Sequence, residues 1–230
     1  MVDSEQFGHV VQDAARWRAS APAPNRPPTV RQMTEAVAPI DGEHAILLVM
    51  DFQVGIVERV ADAEALLRRV AGAIATARAR GLAVGYVRVA FEDADYDAVP
   101  PTNKLFNRLA EGGRANHANA PATAVHDQVA PEPGDIVVRK TRVGAFSTTD
   151  LDEQLRTRGI STLLLAGIST SGVVLSTVRD AADRDYRIVV LADGCADFDA
   201  EVHDVLLGKV FPRQADVVAV ADLEALVDAS

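Results

Sequence analysis

The chain has 230 residues and a formal net charge of −10, and its composition is 48% hydrophobic but only 5% aromatic. This length is compatible with one large α/β domain, because chains usually divide into domains beyond roughly 250 to 300 residues. The negative charge, without a run of lysine or arginine, argues against nucleic acid and anionic membrane surfaces as partners. We therefore expect a globular domain that binds neither of them.

The location of the protein is predicted from two absences in the sequence. No apolar run approaches the roughly 18 residues of a membrane span, and the first residues, Met1–Glu5, lack the basic and apolar regions of a signal peptide. Cys195 is the only cysteine and cannot form an internal disulfide, which agrees with a reducing compartment. These features predict a cytoplasmic protein.

The first part of the chain differs from the rest. Gln6–Arg18 could form a short helix, whereas the proline-rich segment Ala21–Pro28 cannot, because proline lacks a backbone donor and fixes φ. We interpret residues 1–40 as an N-terminal arm that is partly flexible or contacts another subunit, and residues 41–230 as one folded domain.

From residue 44 onward, short runs of aliphatic and β-branched residues alternate with helical patterns. This order is typical of a mostly parallel sheet with helices on both faces, a three-layer α/β/α Rossmann-like fold. The predicted strands are His44–Met50, Leu82–Val89, Asp135–Arg139, Thr162–Ala166, Arg187–Ala192 and Val217–Ala221. The predicted helices are Ala63–Arg80, Lys104–Glu111, Leu151–Arg158, Val173–Asp185, Glu201–Lys209 and Leu223–Asp228.

Three segments with reactive or turn-forming residues follow predicted strands. Asp51 follows the first strand, Lys140 the third and Gly167–Val173 the fourth, so all of them are expected at the rim where open parallel sheets bind ligands. Taken singly, such an aspartate often caps a loop, such a lysine is often solvated, and such a turn often serves backbone geometry. Their shared placement predicts an acid and a base in one site.

Several segments in order resemble the isochorismatase-like (cysteine hydrolase) superfamily over about residues 44–222. They are Val49–Gln53, Pro133–Phe146, Gly167–Thr170, Thr177–Ala181, Tyr186–Gly194 and His203. The resemblance implies a six-stranded sheet of Rossmann-like form in a homodimer or homotetramer. In the family's amidases an aspartate takes a thiol proton, a lysine holds charge and a cysteine attacks the carbonyl. These positions correspond to Asp51, Lys140 and Val173.

Valine cannot act as a nucleophile, so the usual covalent chemistry of this family is not expected. The isochorismatases of phenazine biosynthesis also lack the cysteine, although they have glycine at that position. This chain resembles that branch, in which a general acid and water suffice for hydrolysis of a vinyl ether. We therefore expect hydrolysis of a small carboxylated molecule by Asp51 and Lys140, assisted by backbone N–H groups from Ser171 to Val173. The residues expected to bind substrate are Gln53, Arg88, Phe91, Arg142, Phe146, Ser169, Thr170, Ser171 and Gly172.

Two alternatives stay open. The chain could be a pseudoenzyme that binds a small molecule or helps an assembly without turnover. It could also be a C–N amide hydrolase with a substitute nucleophile, namely a hydroxyl of Ser169, Thr170 or Ser171, or the thiol of Cys195.

Cofactors and metals are not expected. Gly167 and Gly172 do not form the G-x-G-x-x-G fingerprint of dinucleotide sites. The acidic loop Asp93–Asp97 has no close histidine, and His117 and His126 are distant in sequence, so no metal site is predicted.

Overall fold

A six-stranded parallel sheet forms the centre of the structure, a computed structural model that describes residues 37–111 and 114–227. The strands are β1 (Ala45–Met50), β2 (Ala83–Val89), β3 (Ile136–Lys140), β4 (Thr162–Ile168), β5 (Arg187–Ala196) and β6 (Asp216–Val218), in the order β3-β2-β1-β4-β5-β6. The helices are α1 (Val54–Val57), α2 (Ala63–Ala79), α3 (Asp93–Asp97), α4 (Lys104–Glu111), α5 (Leu151–Thr157), α6 (Leu175–Asp183), α7 (Ala200–Val205) and α8 (Leu223–Leu226).

The predicted fold class is confirmed, and its physical basis is burial of both faces of the sheet. Every residue of β1 and of β4 is buried. On one face the strands pack against α5 and α6, and on the other against α2 and α8. Strands covered on both sides gain stability from apolar residues at every position, which explains their continuous apolar runs.

Several predicted element boundaries are wrong near the carboxyl ends of the strands. Strand β4 ends at Ile168 rather than Ala166, and β6 ends at Val218 rather than Ala221. Strand β5 continues to Ala196, four residues beyond the predicted end at Ala192, because an irregularity in its pairing with β4 accommodates the Asp193-Gly194 pair. The predicted helix Val173–Asp185 begins earlier, with a π-helical turn over Thr170–Val174 that leads into α6. A single turn of this kind inside a helix often marks a functional site.

The two ends of the described chain meet beside the sheet. The N–H of Ile40 donates to the carbonyl of Leu226 at 2.7 Å, and Ile40 pairs with Val227. Ile40 is fully buried, so the last residue of the predicted arm packs against the domain. The remainder of the predicted arm up to residue 36, including the predicted helix Gln6–Arg18, lies outside the described residues.

In the part of the chain that the structure describes, no helix is both long enough and apolar enough to cross a membrane. The cytoplasmic location and the homo-oligomeric state stay predictions.

Candidate active site

The candidate site lies where the strand order reverses, between β1 and β4. Neighbouring loops diverge at such a point and leave a crevice outside the carboxyl ends of the strands. Asp51 leaves β1 with a φ of 60°, in the left-handed region that aspartate tolerates better than most residues, and its N–H donates to the carbonyl of Val87 at 2.8 Å. This turn fixes the Asp51 side chain at the rim of the sheet.

Asp51 and Lys140 form a buried ion pair. Lys140 ends β3 and spans the width of β2, and its Nζ lies 2.8 Å from Oδ2 of Asp51 and 3.2 Å from the carbonyl of Arg142. Only 5% of Asp51 and 2% of Lys140 is exposed. Ion pairs of this kind need good geometry to offset the loss of hydration.

The two oxygens of the Asp51 carboxyl group differ. Oδ2 accepts from Lys140, whereas Oδ1 is buried and accepts no hydrogen bond from any described residue. Burial raises the pKa of Asp51 above its ordinary value, and the Lys140 ammonium and the nearby N–H of Val89, which donates to Gln53, only partly oppose this effect. Oδ1 is therefore the oxygen that is free to carry a proton.

The turn after β4 brings Ser169, Gly172 and Val173 to the same place. A β-carbon at Gly167 would lie 2.8 Å from Cγ2 of Val174 and 3.3 Å from Cγ1 of Val173, and one at Gly172 would lie 2.7 Å from Oγ of Ser169. A side chain at Gly167 would require the buried Val174 to shift, and one at Gly172 would require the Ser169 hydroxyl to rotate away. The turn can thus fold tightly over the end of the sheet.

A cavity of about 250 Å³ connects these groups. Its polar lining residues are Asp51, Arg59, Asn116, Lys140 and Ser169. Its remaining lining residues are Ile56, Val89, Leu105, Phe106, Leu109, Val143, Ile168, Gly172, Val173 and Phe198. The volume lies below the roughly 300 to 1,000 Å³ of pockets for drug-sized ligands, so the cavity suits a smaller molecule.

Three of the residues expected to bind substrate have other contacts: two form hydrogen bonds with backbone groups, and one packs in the core. Gln53 donates to the carbonyls of Val89 and Thr123, both at 2.9 Å, and accepts from the N–H of Val89 at 2.7 Å. Arg88 donates to the carbonyl of Thr123 at 3.2 Å. Phe91 is buried and packs against other aromatic rings. None of the three lines the cavity.

Two further residues expected to bind substrate, Phe146 and Arg142, also lie outside the cavity lining. Phe146 lies in the core and stacks on Tyr186 with ring centroids 6.0 Å apart. The guanidinium of Arg142 lies 5.3 Å from the ring centroid of Phe106, outside the cavity lining. Phe146 therefore stabilises the domain, and Arg142 supports a cavity wall.

The hydroxyl and N–H groups of the turn are largely engaged. Oγ1 of the fully buried Thr170 lies 2.8 Å from Nδ1 of His203, and Ser171 donates its N–H to Asp197 at 2.6 Å. Gly172 donates its N–H to the carbonyl of Ser169 at 3.2 Å. Both N–H groups therefore have partners within the protein, and a contact between a substrate oxygen and the N–H groups from Ser171 to Val173 stays a prediction.

Cys195 is poorly suited to act as a nucleophile. It is buried on β5, and its Sγ lies 3.7 Å from the carbonyl of Leu165. Burial raises the pKa of its thiol to about 12. The reactive thiolate is therefore scarce near neutral pH, and Cys195 does not line the cavity.

The acidic loop after β2 is paired with arginines. Asp93 binds Arg114, and Asp95 lies 2.5 Å from Nη1 of Arg139. His117, distant in sequence, comes within 3.5 Å of Asp93 because Phe91 and His117 pair as a short bridge. This histidine is therefore close to the acidic loop in space although it is distant in sequence. The carboxylates of Asp93 and Asp95 already have arginine partners.

Sequence reasoning missed several residues that line the cavity: Ile56, Arg59, Leu105, Phe106, Leu109, Asn116, Val143 and Phe198. Most lie on loops and short helices with no motif. The only available signal was the irregular stretch after β2, whose length suggested a binding loop.

A six-stranded parallel sheet with helices on both faces and a small cavity at its reversal point places the chain in the class of Rossmann-like α/β/α proteins. The sequence model of the isochorismatase domain matches residues 45–222. The chain therefore belongs to the isochorismatase family.

Relatives and solved structures agree with this membership. The uncharacterized isochorismatase family protein YwoC of Bacillus subtilis is 33% identical over 174 residues, which cover 76% of this chain and 89% of that protein. The ureidoacrylate amidohydrolase RutB of Methylorubrum extorquens is 34% identical over 202 residues, covering 76% and 81%. An isochorismatase family structure from Burkholderia thailandensis is 30% identical with a TM-score of 0.69, covering 83% of this chain and 98% of that one.

Proposed function

We propose that this protein hydrolyses a small carboxylated molecule, with Asp51 as general acid and water as the attacking group. The observation that carries the proposal is Oδ1 of Asp51, a buried carboxyl oxygen without a hydrogen-bond donor in a residue that lines the cavity. A raised pKa keeps part of this carboxyl group protonated at pH values where an exposed aspartate is ionised.

The ion pair gives the proton transfer a favourable end state. When Asp51 gives up its proton, a full carboxylate forms beside the ammonium of Lys140, 2.8 Å away in a water-poor site. The attraction is therefore strongest as the reaction proceeds, which is the condition for lowering the barrier. For a vinyl ether, the proton would go to carbon, water would add to the resulting cation, and the adduct would release alcohol and return a proton to Asp51.

Val173 accounts for the absence of a thiol step in this scheme. Its side chain lines the cavity at the position that the family resemblance assigns to the cysteine, and a valine side chain has no lone pair. Protonation of the substrate followed by attack of water needs no nucleophile on the protein.

A second candidate is hydrolysis of a C–N bond, which the name of the RutB relative and one contact favour. Ser169 lines the cavity and leaves a hydroxyl beside Gly172. For this candidate, the hydroxyl of Ser169 would give its proton to the Asp51 carboxylate and attack an amide or ureide carbonyl. The C–N bond would then break as this proton passes to the leaving nitrogen, and water would hydrolyse the resulting acyl-serine ester.

The test is turnover of isochorismate, other carboxylated vinyl ethers, ureides and amides by the wild type and by Asp51→Asn, Ser169→Ala and Asp127→Asn. Asp127 is an exposed aspartate in a turn and serves as the matched control. We expect vinyl ether turnover that Asp51→Asn abolishes and the other two variants retain. Turnover of amides alone, lost in Ser169→Ala, favours the second candidate. If the wild type turns over no substrate faster than Asp51→Asn does, the proposal that the protein is an enzyme is refuted and the pseudoenzyme alternative is supported.

A further inference from the structure

We propose that Arg59 recognises the carboxylate of the ligand and selects small planar carboxylates for this cavity. The inference deepens the proposed function and rests on it for the identity of the site. It rests on the balance of charge in the cavity lining, on the surroundings of Arg59, and on the shape of the apolar wall.

The charges that line the cavity do not cancel. They are Asp51, Lys140 and Arg59. Asp51 and Lys140 bind each other at 2.8 Å, and Lys140 also donates to the carbonyl of Arg142. Lys140 is thus already engaged, which makes it a weak anchor for a substrate anion. The remaining charge, that of Arg59, gives the lining a net positive sign.

Arg59 is held in place without being neutralised. It follows α1, and its guanidinium lies 4.7 Å from the ring centroid of Phe198, which follows β5 on the other side of the crevice. Among residues 37–111 and 114–227, no carboxylate lies within 4.0 Å of its nitrogens, whereas Arg68 and Arg69 on α2 are both paired with carboxylates. Stacking uses the face of a guanidinium and leaves its N–H edges available for a carboxylate.

The walls favour a flat apolar body next to that charge. Leu105 and Phe198 are 52% and 51% exposed although both line the cavity, and Phe106 and Leu109 continue the same wall. Exposed apolar side chains around a small concave site are typical of ligand contact. A planar ring or conjugated chain that carries one carboxylate matches both the wall and Arg59.

The probe is benzoate, and benzamide is its neutral counterpart of the same shape. Ligand-observed NMR measures the dissociation constants of both for the wild type, Arg59→Gln, Arg59→Lys and Arg108→Gln. Arg108 lies on α4 beside the cavity wall, is exposed and does not line the cavity, so its variant removes an equal charge as a control. Circular dichroism confirms that each variant is folded.

We expect Arg59→Gln to weaken benzoate binding about tenfold, as for loss of a charge-assisted hydrogen bond, and to leave benzamide unchanged. Arg59→Lys should weaken benzoate binding less than Arg59→Gln does, and Arg108→Gln should leave benzoate binding almost unchanged. Equal dissociation constants in the wild type and Arg59→Gln, an equal loss in Arg108→Gln, or absence of benzoate binding would overturn the inference. Benzoate binding that depends on Arg59, without turnover in the hydrolysis assay, supports the inference and refutes the proposed function. Turnover without benzoate binding that depends on Arg59 supports the proposed function and refutes the inference.

Discussion

Nζ of Lys140 lies 2.8 Å from Oδ2 of Asp51, and both side chains are almost completely buried although they come from β3 and from the end of β1. Two charged groups removed from water in this way depend on each other. The energetic coupling between them is therefore the first property of the site to measure.

Removal of either partner should destabilise the protein strongly. Asp51→Asn leaves a buried ammonium, and Lys140→Met leaves a buried carboxylate, each at a cost of about 3 to 5 kcal/mol near neutral pH. The double variant leaves no unpaired charge, so its loss should be clearly smaller than the sum of the two. Urea unfolding of all four proteins measures this, and additive losses would show that the pair is not coupled.

The stability of Lys140→Met should depend on pH. Loss of the ammonium removes the interaction that lowers the pKa of Asp51, so burial raises this pKa further. A carboxyl group whose pKa is raised by folding contributes stability below its unfolded pKa, and this contribution is lost as pH rises through the folded pKa. Urea unfolding between pH 4.5 and 8 should therefore show the largest deficit at high pH. Lys104→Met, which changes an exposed lysine on α4, should show no such trend.

A thiol introduced at Val173 should be reactive, in contrast to the native one. Val173 and Cys195 are both buried, but Val173 lines the cavity together with Asp51 and Lys140, whereas Cys195 does not line it and has a pKa of about 12. We expect iodoacetamide at pH 7.5 to alkylate Val173→Cys at one site and to leave the wild type unmodified, as measured by intact mass. Fast alkylation of wild-type Cys195 would contradict the assigned burial. Amide hydrolysis gained by Val173→Cys would indicate a cavity that lacks only its nucleophile.

Acid should weaken the turn that carries Ser169 and Val173. Burial lowers the pKa of His203, which lies 2.8 Å from the hydroxyl of Thr170, although Asp204 and Asp197 oppose this shift. A histidine with a lowered folded pKa contributes stability above its unfolded pKa of about 6.5, and this contribution is lost as pH falls below it. As pH is lowered from 8 to 5, the melting temperature should fall more steeply for the wild type than for His203→Gln. The same slope in both proteins would exclude His203, and His126→Gln serves as the control.

The sequence predicts the sheet better than it predicts the site. Continuous apolar runs such as Ala45–Met50 follow directly from burial on both faces, and the placement of Asp51 and Lys140 follows from strand ends in a parallel sheet. The role of Gln53 could not be predicted, because its partners are backbone groups of β2 and of a distant turn. Arg59 and Phe198 belong to different loops, and only the folded chain brings them together.

The most direct test of Asp51 as a general acid is the pH dependence of kcat/KM for a carboxylated substrate that the wild type hydrolyses. It is measured in the wild type and in Asp51→Asn. A general acid must be protonated in the free enzyme, so we expect the wild-type value to fall as pH rises through the raised pKa of Asp51. Asp51→Asn should show no activity at any pH. A wild-type rate that increases with pH through the same range, or activity equal to that of Asp51→Asn, would contradict the account.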